Sequence, residues 1–410
     1  MTVEQKNGNR GFFRGNSPAP GTVVMLAAIF ALAFLTHCAG MRGPLRERLI
    51  SSDERTQQSA FKELDALDSV AKKDYLATLK NLLYNRNPDT RVRAAASLGR
   101  MGRAAMEAVP DLAHVLSEDD DDLRLASIGA LGRMGADAVP YLLTVLNHPS
   151  PEVRRAASDA LGSIGPEAKE ATQALSLLLG DQDREMAQRA AFALGKIGRD
   201  AVPVLVQVAK GRDRSAVEMA ETAYSEGKVD PGVVRDLAKI LDNSGEEARV
   251  RAFAAAALGR MREQAKGALP ELVRALGDEH VDVRSAARGA LGRMGTAAVS
   301  ALADALKDGR PSVRAAAAHA LGDLGPAAED AVPSLLQAFH DEDRTVRIDA
   351  ILAVGKIGAI SRAAVQELIR VLEADTDDLV RLDAVRVLNK MDTSEAREAV
   401  NNYNKKNNLQ

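Results

Sequence analysis

Residues 283–295 read VRSAARGALGRMG, and the rest of the chain repeats this pattern. With Leu291-Gly292 as the mark, equivalents stand at Leu98, Leu131, Leu161, Leu194, Leu258, Leu321 and Val354, with a worn copy at Leu388. The steps are 33, 30, 33, 64, 33, 30, 33 and 34 residues. Because 64 spans two steps, a degenerate copy is expected near Tyr224, where Ala220 and Ala223 keep the small residues of the pattern. A period in this range marks a solenoid, in which each unit buries its apolar face only against its neighbours. Copies 160 residues apart also match, Leu98 onto Leu258 through Leu194 onto Val354, which points to a duplicated five-unit block.

Each position of the repeat has a physical reading. Seven residues before the aligned leucine an arginine recurs, at Arg91, Arg124, Arg154, Arg251, Arg284, Arg314, Arg347 and Arg381. Four residues and one residue before the leucine stand alanines such as Ala287 and Ala290, which place small side chains one turn apart on a single helix face. Neighbouring helices can therefore approach closely. The helix is expected to stop at the second glycine of the Gly-Arg-Met-Gly run, at Gly102, Gly135 and Gly295, in a left-handed conformation. A second apolar pattern follows, as in Val109-Pro110 with Leu112, Val115 and Leu116, so each unit is a helix pair. Pro88, Pro151 and Pro311 open first helices, where a missing amide hydrogen costs nothing.

These residues resemble the HEAT repeat, in the short variant associated with bilin lyases of the phycobilisome, over about residues 52–405. The resemblance implies an all-α α-solenoid, a right-handed superhelix of about 11 antiparallel helix pairs. It also implies a ladder in which the recurrent arginine of one unit pairs with an aspartate in the turn of the next. Asp181, Asp278, Asp308, Asp341 and Asp375 occupy that turn position. In the first half Asn85, Glu118 and His148 stand there instead, and Ala187 replaces the arginine, so the ladder is expected to be incomplete on that side.

Composition agrees with a thin, distributed core: 46% of residues are hydrophobic, but only 3% are aromatic and none is tryptophan. The formal net charge is −3, or −5 without the leader, so the chain as a whole carries no basic footprint for nucleic acid. A single cysteine, Cys38, excludes an intrachain disulfide and any cysteine-clustered metal site.

Residues 1–41 read as an export or anchoring segment. Lys6, Arg10 and Arg14 precede a stretch, Ser17 to Met41, without a charged Asp, Glu, Lys or Arg. Leu35-Thr36-His37-Cys38 resembles the lipobox of bacterial lipoproteins, which implies Cys38 as the lipidated residue, although His37 stands where that family has a small residue. The alternative is an uncleaved signal anchor, since Gly21 to Gly40 as a helix would reach ~30 Å, enough to cross a bilayer. Both readings place a membrane-anchored array outside the cytoplasm, in a bacterial cell envelope. Residues 42–52 read as a spacer. Glu54 to Leu67 and Lys72 to Tyr84 read as a terminal helix pair, residues 214–244 as a degenerate unit, hinge or drift, and Asn401 to Gln410 as a polar, disordered tail.

A search for chemistry finds no catalytic residue, metal site or cofactor to name. HEAT-like deoxyhypusine hydroxylases bind two irons through His-Glu pairs, and none of the six histidines here is followed by Glu. There is no G-x-S-x-G elbow and no phosphate-binding glycine loop. The acidic runs Glu118 to Asp122 and Asp375 to Asp378 match no EF-hand spacing and read as turns that start helices. An enzyme resembling bilin lyase or deoxyhypusine hydroxylase is the runner-up to a non-catalytic scaffold.

In such arrays the second helices line the concave face. The positions just after the Pro slot and three later turn apolar in the third to fifth units, where Tyr141, Leu177 and Val204, rimmed by Thr144 and Gln207, suit a protein or peptide partner. The alternative is that curvature buries these residues as ordinary core.

Overall fold

The computed structural model describes residues 45–358 and 361–407. The leader and Cys38 lie outside them. Two compact units divide the chain, Met1–Ser97 and Leu98–Gln410. Among the described residues there is no strand, and no helix is long and apolar enough to cross a membrane.

The helices come in pairs, odd numbers for first helices and even for second. The pairs begin with α1 (Glu54–Asp65) and α2 (Ser69–Leu82), α3 (Pro88–Met101) and α4 (Val109–His114), α5 (Asp121–Leu131) and α6 (Val139–Thr144). Next come α7 (Pro151–Ile164) and α8 (Thr172–Leu177), α9 (Arg184–Ile197) and α10 (Val202–Lys210), α11 (Arg214–Thr222) and α12 (Pro231–Asp242), α13 (Ala248–Arg260) and α14 (Leu269–Ala275). The last four pairs are α15 (Val281–Met294) and α16 (Val299–Ala305), α17 (Pro311–Leu324) and α18 (Val332–Ala338), α19 (Arg344–Ile357) and α20 (Arg362–Ala374), α21 (Asp378–Met391) and α22 (Ser394–Lys406). The solenoid expected from the period is therefore observed. In many units a 3-10 turn such as Gly165–Ala171 or Gly325–Ala331 links the two helices, and the second helix is correspondingly short.

In the first unit, residues 45–49 form a helical turn within the stretch read as a spacer, and Leu45 and Leu49 are buried. The carbonyl of Leu49 accepts from Gln57 Nε2 at 2.8 Å and from Ser97 Oγ at 2.8 Å, and Arg48 pairs with Glu63. A polar network thus closes an end that lacks the Leu-Gly signature.

In the second unit, first helices pack on first helices, α7 on α9, α13 on α15, α17 on α19, and second helices on second helices, α8 on α10 and α12 on α14. The aligned leucines Leu131, Leu161, Leu194, Leu258, Leu291 and Leu321 are all fully buried. The glycine after the leucine is where consecutive first helices touch. A Cβ on Gly259 would lie 2.5 Å from Ala290 Cα, and one on Gly195 would lie 1.7 Å from the Ala223 carbonyl oxygen. Gly292 is different, with nothing within 4 Å.

The second glycine corrects the expected geometry. Gly295 has φ 60° and ψ −133°, and Gly135 has φ 98° and ψ −158°, a positive-φ region outside the left-handed helical well that in effect only glycine visits. Arg262 and Asp392, which occupy the same slot in their units, also have positive φ, at 52° and 49°. The slot thus keeps a positive φ without glycine, although Asp392, with ψ 33°, and Gly358, with ψ 19°, do lie in the left-handed helical well.

The degenerate unit is pinned on both sides. Tyr224 is buried and its hydroxyl donates to the Gly198 carbonyl at 3.0 Å, while burial raises its pKa. The Gln264 amide donates to the Gly227 carbonyl at 2.9 Å and accepts from the Val229 amide at 2.8 Å. Arg199 donates to both carboxylate oxygens of Asp236, at 2.6 and 3.1 Å. At the far end, the tail expected to be disordered from Asn401 continues α22 to Lys406, because Ala396 and Val400 are buried and anchor the helix.

Candidate functional site

The arginine slots divide into two kinds. Arg251 donates through Nε and Nη2 to Asp278 at 3.1 and 2.9 Å, Arg314 to Asp341 at 2.7 and 2.8 Å, and Arg347 to Asp375 at 2.8 and 3.2 Å. These bidentate pairs join consecutive units. The remaining nitrogen of the same arginine donates to a carbonyl of its own turn, Glu246 for Arg251 at 2.5 Å and Asp308 for Arg314 at 2.9 Å. Each guanidinium is thus both a turn cap and a rung. Arg124 and Arg154 keep the first role, to Leu116 and His148 carbonyls at 2.9 Å each. An inter-unit bond on that side runs instead from the next residue, Arg155, to Asp183. Within the later block one rung is also displaced: Arg310 of the same turn takes Asp308 and Arg284 bonds only carbonyls.

Burial pushes the Asp278 carboxyl up, and the Arg251 guanidinium with the His280 amide outweighs this and holds it below its ordinary value. The acidic runs serve as helix caps. Asp120 accepts from the Leu123 amide at 3.0 Å, and Asp377 from the Leu379 amide at 2.9 Å. His280 lies beside Asp278 and Glu279, His340 beside Glu367, and His319 between Asp323 and Asp349. Among the described residues no group of three or more His, Cys, Asp or Glu side chains is arranged to hold a metal ion.

The five partner-binding candidates fall on three second helices. Leu177, the last residue of α8, is 74% exposed although Leu175 and Leu179 beside it are fully buried. Tyr141 on α6 is 38% exposed, and Thr144 one turn on is exposed and donates to the Tyr141 carbonyl at 2.7 Å. Val204 on α10 is half-buried and Gln207 exposed. Leu177 and Val204 sit on helices in direct contact, whereas α6 reaches α8 through the intervening turn Gly165–Ala171. Reading these positions as ordinary core fails for Tyr141 and Leu177.

Two surface features escaped the sequence pattern. Val281, Leu379 and Leu382 are exposed apolar residues on first helices rather than second. A groove between α12 and the Arg262–Ala275 stretch collects Arg235, Lys239 and Lys266. Only Lys239 stands at a solvent position that the repeat register marks, and the groove itself depends on how two units meet.

The profile of the HEAT repeats family matches residues 76–144, 109–176, 234–322 and 299–389, together more than half of the chain. No curated protein matches. Similar solved structures include Kap121p bound to Nup53p, 15% identical over 86% of this chain and 45% of that one, with a TM-score of 0.40. Another crystal structure of Kap121p is 14% identical over 85% and 45%, TM-score 0.37, and importin beta in an ammonium sulfate condition 17% identical over 92% and 60%, TM-score 0.33. The chain thus spans less than two thirds of the length of each of these.

Proposed function

We propose, from the premise that this chain belongs to the HEAT-repeat family, that it is a non-catalytic scaffold whose second-helix surface holds a protein or peptide partner. The observation that carries this reading is Leu177: a large apolar side chain 74% exposed at the end of a short helix whose other leucine, Leu175, is fully buried. Burying such a side chain against a partner contributes roughly 1.5–3 kcal/mol. Tyr141 offers a second aromatic anchor, and Thr144 and Gln207 a polar rim. The test is capture from a cell extract by the full-length chain and by the Tyr141→Ser/Leu177→Ser double variant. The variant is expected to lose the partner while its far-ultraviolet circular dichroism stays that of the wild type. Full retention of the partner would refute the site.

The scaffold is also proposed to be tethered to a membrane in the cell envelope of a bacterium. This rests on the charge-free stretch Ser17 to Met41 behind a basic leader, with Cys38 as the lipidated residue or Gly21 to Gly40 as the anchor. Lipid labelling of wild type against Cys38→Ala, with the mass of the mature N-terminus, decides between the two. Label that disappears on substitution, with a chain starting at Cys38, supports the lipoprotein; an unlabelled chain that keeps its leader supports the anchor.

A further inference from the structure

Beside the apolar positions of the proposed surface lies a groove of about 490 Å³ between α12 and the Arg262–Ala275 stretch. It continues that surface, since α10, which carries Val204 and Gln207, packs on α12, and α12 packs on α14. Pro231, Val234 and Ala238 form its apolar lining. Arg235, Lys239 and Lys266 stand exposed around it, and among the described residues none of the three has a carboxylate within salt-bridge distance. The two acidic side chains of the lining, Asp242 and Glu271, are both engaged by Arg274, at 2.8 and 2.9 Å. The local balance is thus positive in a chain whose net charge is −3. The wall is held in place, because both ends of the Gln264 amide are bonded to the loop before α12.

We infer that this groove docks an acidic segment of the partner, with carboxylates against Arg235, Lys239 and Lys266 and a small apolar side chain on Val234 and Ala238. The inference rests on the scaffold reading above and adds the chemistry of the partner: an apolar anchor for Leu177, followed along the second helices by acidic residues. Charge complementarity selects this occupant. A basic peptide would face three like charges, and a phosphate backbone would gain nothing from the apolar lining. The volume suits a few side chains of an extended peptide.

The test is fluorescence anisotropy with the full-length chain and three labelled probes: a peptide alternating leucine with glutamate and aspartate, its lysine-for-acid counterpart, and a single-stranded oligonucleotide. The acidic peptide is expected to bind saturably, the lysine peptide about ten-fold more weakly or worse, and the Lys239→Glu/Lys266→Glu double variant to lose about ten-fold in affinity for the acidic probe. Absence of saturable binding at millimolar peptide, an unchanged affinity in the double variant, or equally tight binding of the oligonucleotide would overturn the inference. Leu177→Ser separates the two readings. If it weakens the probe while the charge reversal does not, the scaffold site stands and the acidic groove falls. If only the charge reversal acts, the groove stands and the Leu177 site falls.

Discussion

From α5 to α10 the recurrent arginines serve their own turns, and the second helices present Tyr141 and Leu177 to solvent; from α13 to α20 Arg251, Arg314 and Arg347 also grip the following unit, with Arg284 the exception, and the second helices are largely polar. Beneath this difference the two stretches share one packing scheme, with Leu161 and Leu194 as fully buried as Leu291 and Leu321. The comparison teaches that leucine, alanine and glycine build the array, and that the ladder is an addition to it. A buried ion pair contributes little net stability against its desolvation cost, so a solenoid can drop rungs and keep its shape; what a rung adds is a fixed register between units. The stretch without the ladder is also the one whose second helices leave Tyr141 and Leu177 exposed.

The largest expected effect tests the shared part. Leu291→Ala and Leu161→Ala should each cost ~2–5 kcal/mol in urea unfolding, and a clearly smaller cost in one would break the claim of a common core. Next come the rungs. Arg251→Ala, which strands the mostly buried Asp278, should cost about 3 kcal/mol, against about 1 kcal/mol for Arg154→Ala, which loses only carbonyl bonds. The Asp278 contribution has a definite pH sign. Its folded pKa is lowered, so the stability it adds is complete above the unfolded value of about 3.9 and is lost as the pH falls through the folded one. Asp278→Asn should remove that part of the acid transition, read by unfolding at a series of pH values.

A third contrast sharpens the packing scheme itself. Gly195→Ala, which drives a methyl onto the Ala223 carbonyl, should cost ~1–3 kcal/mol, whereas Gly292→Ala, in open space inside α15, should gain roughly 0.5–1 kcal/mol from helix propensity. Equal effects would mean that the close approach is not what selects glycine there. The smallest effect is a gain. Arg262→Gly relieves a positive φ on a non-glycine residue and should raise stability by about 0.5–1 kcal/mol, measured as a shift in the urea midpoint.

Much of the fold was legible because a repeat states its packing rule many times over. The aligned leucines, the alanines one turn apart and the Val-Pro start of the second helix each recur in register, and each marks a residue that is buried or opens a helix. The ladder was legible only in part: the spacing of Asp278 and Asp341 foretold their rungs, but Arg155 taking Asp183 and Arg310 taking Asp308 depend on which guanidinium reaches the carboxylate first. The candidate surface was legible in its residues and not in its exposure. The register put Tyr141, Leu177 and Val204 on one face, but only the packed helices leave Leu177 out and half-bury Val204. The groove with Arg235 and Lys266 was not legible, since its members come from neighbouring units of which one is degenerate.

The sequence by itself determined the local and repeated features of this protein: helix pairs, their starts and stops, the buried face, and the number of units. These follow from side-chain size, backbone permissiveness and period, which act over a turn or two of helix. Tertiary structure alone decided how closely successive helices meet at Gly195 and at Gly292, which arginine closes each rung, that the slot at Arg262 keeps a positive φ without glycine, and where charge gathers between α12 and α14. Those depend on distances between units, and such distances are fixed by the sum of many small contacts that no single stretch of the chain contains.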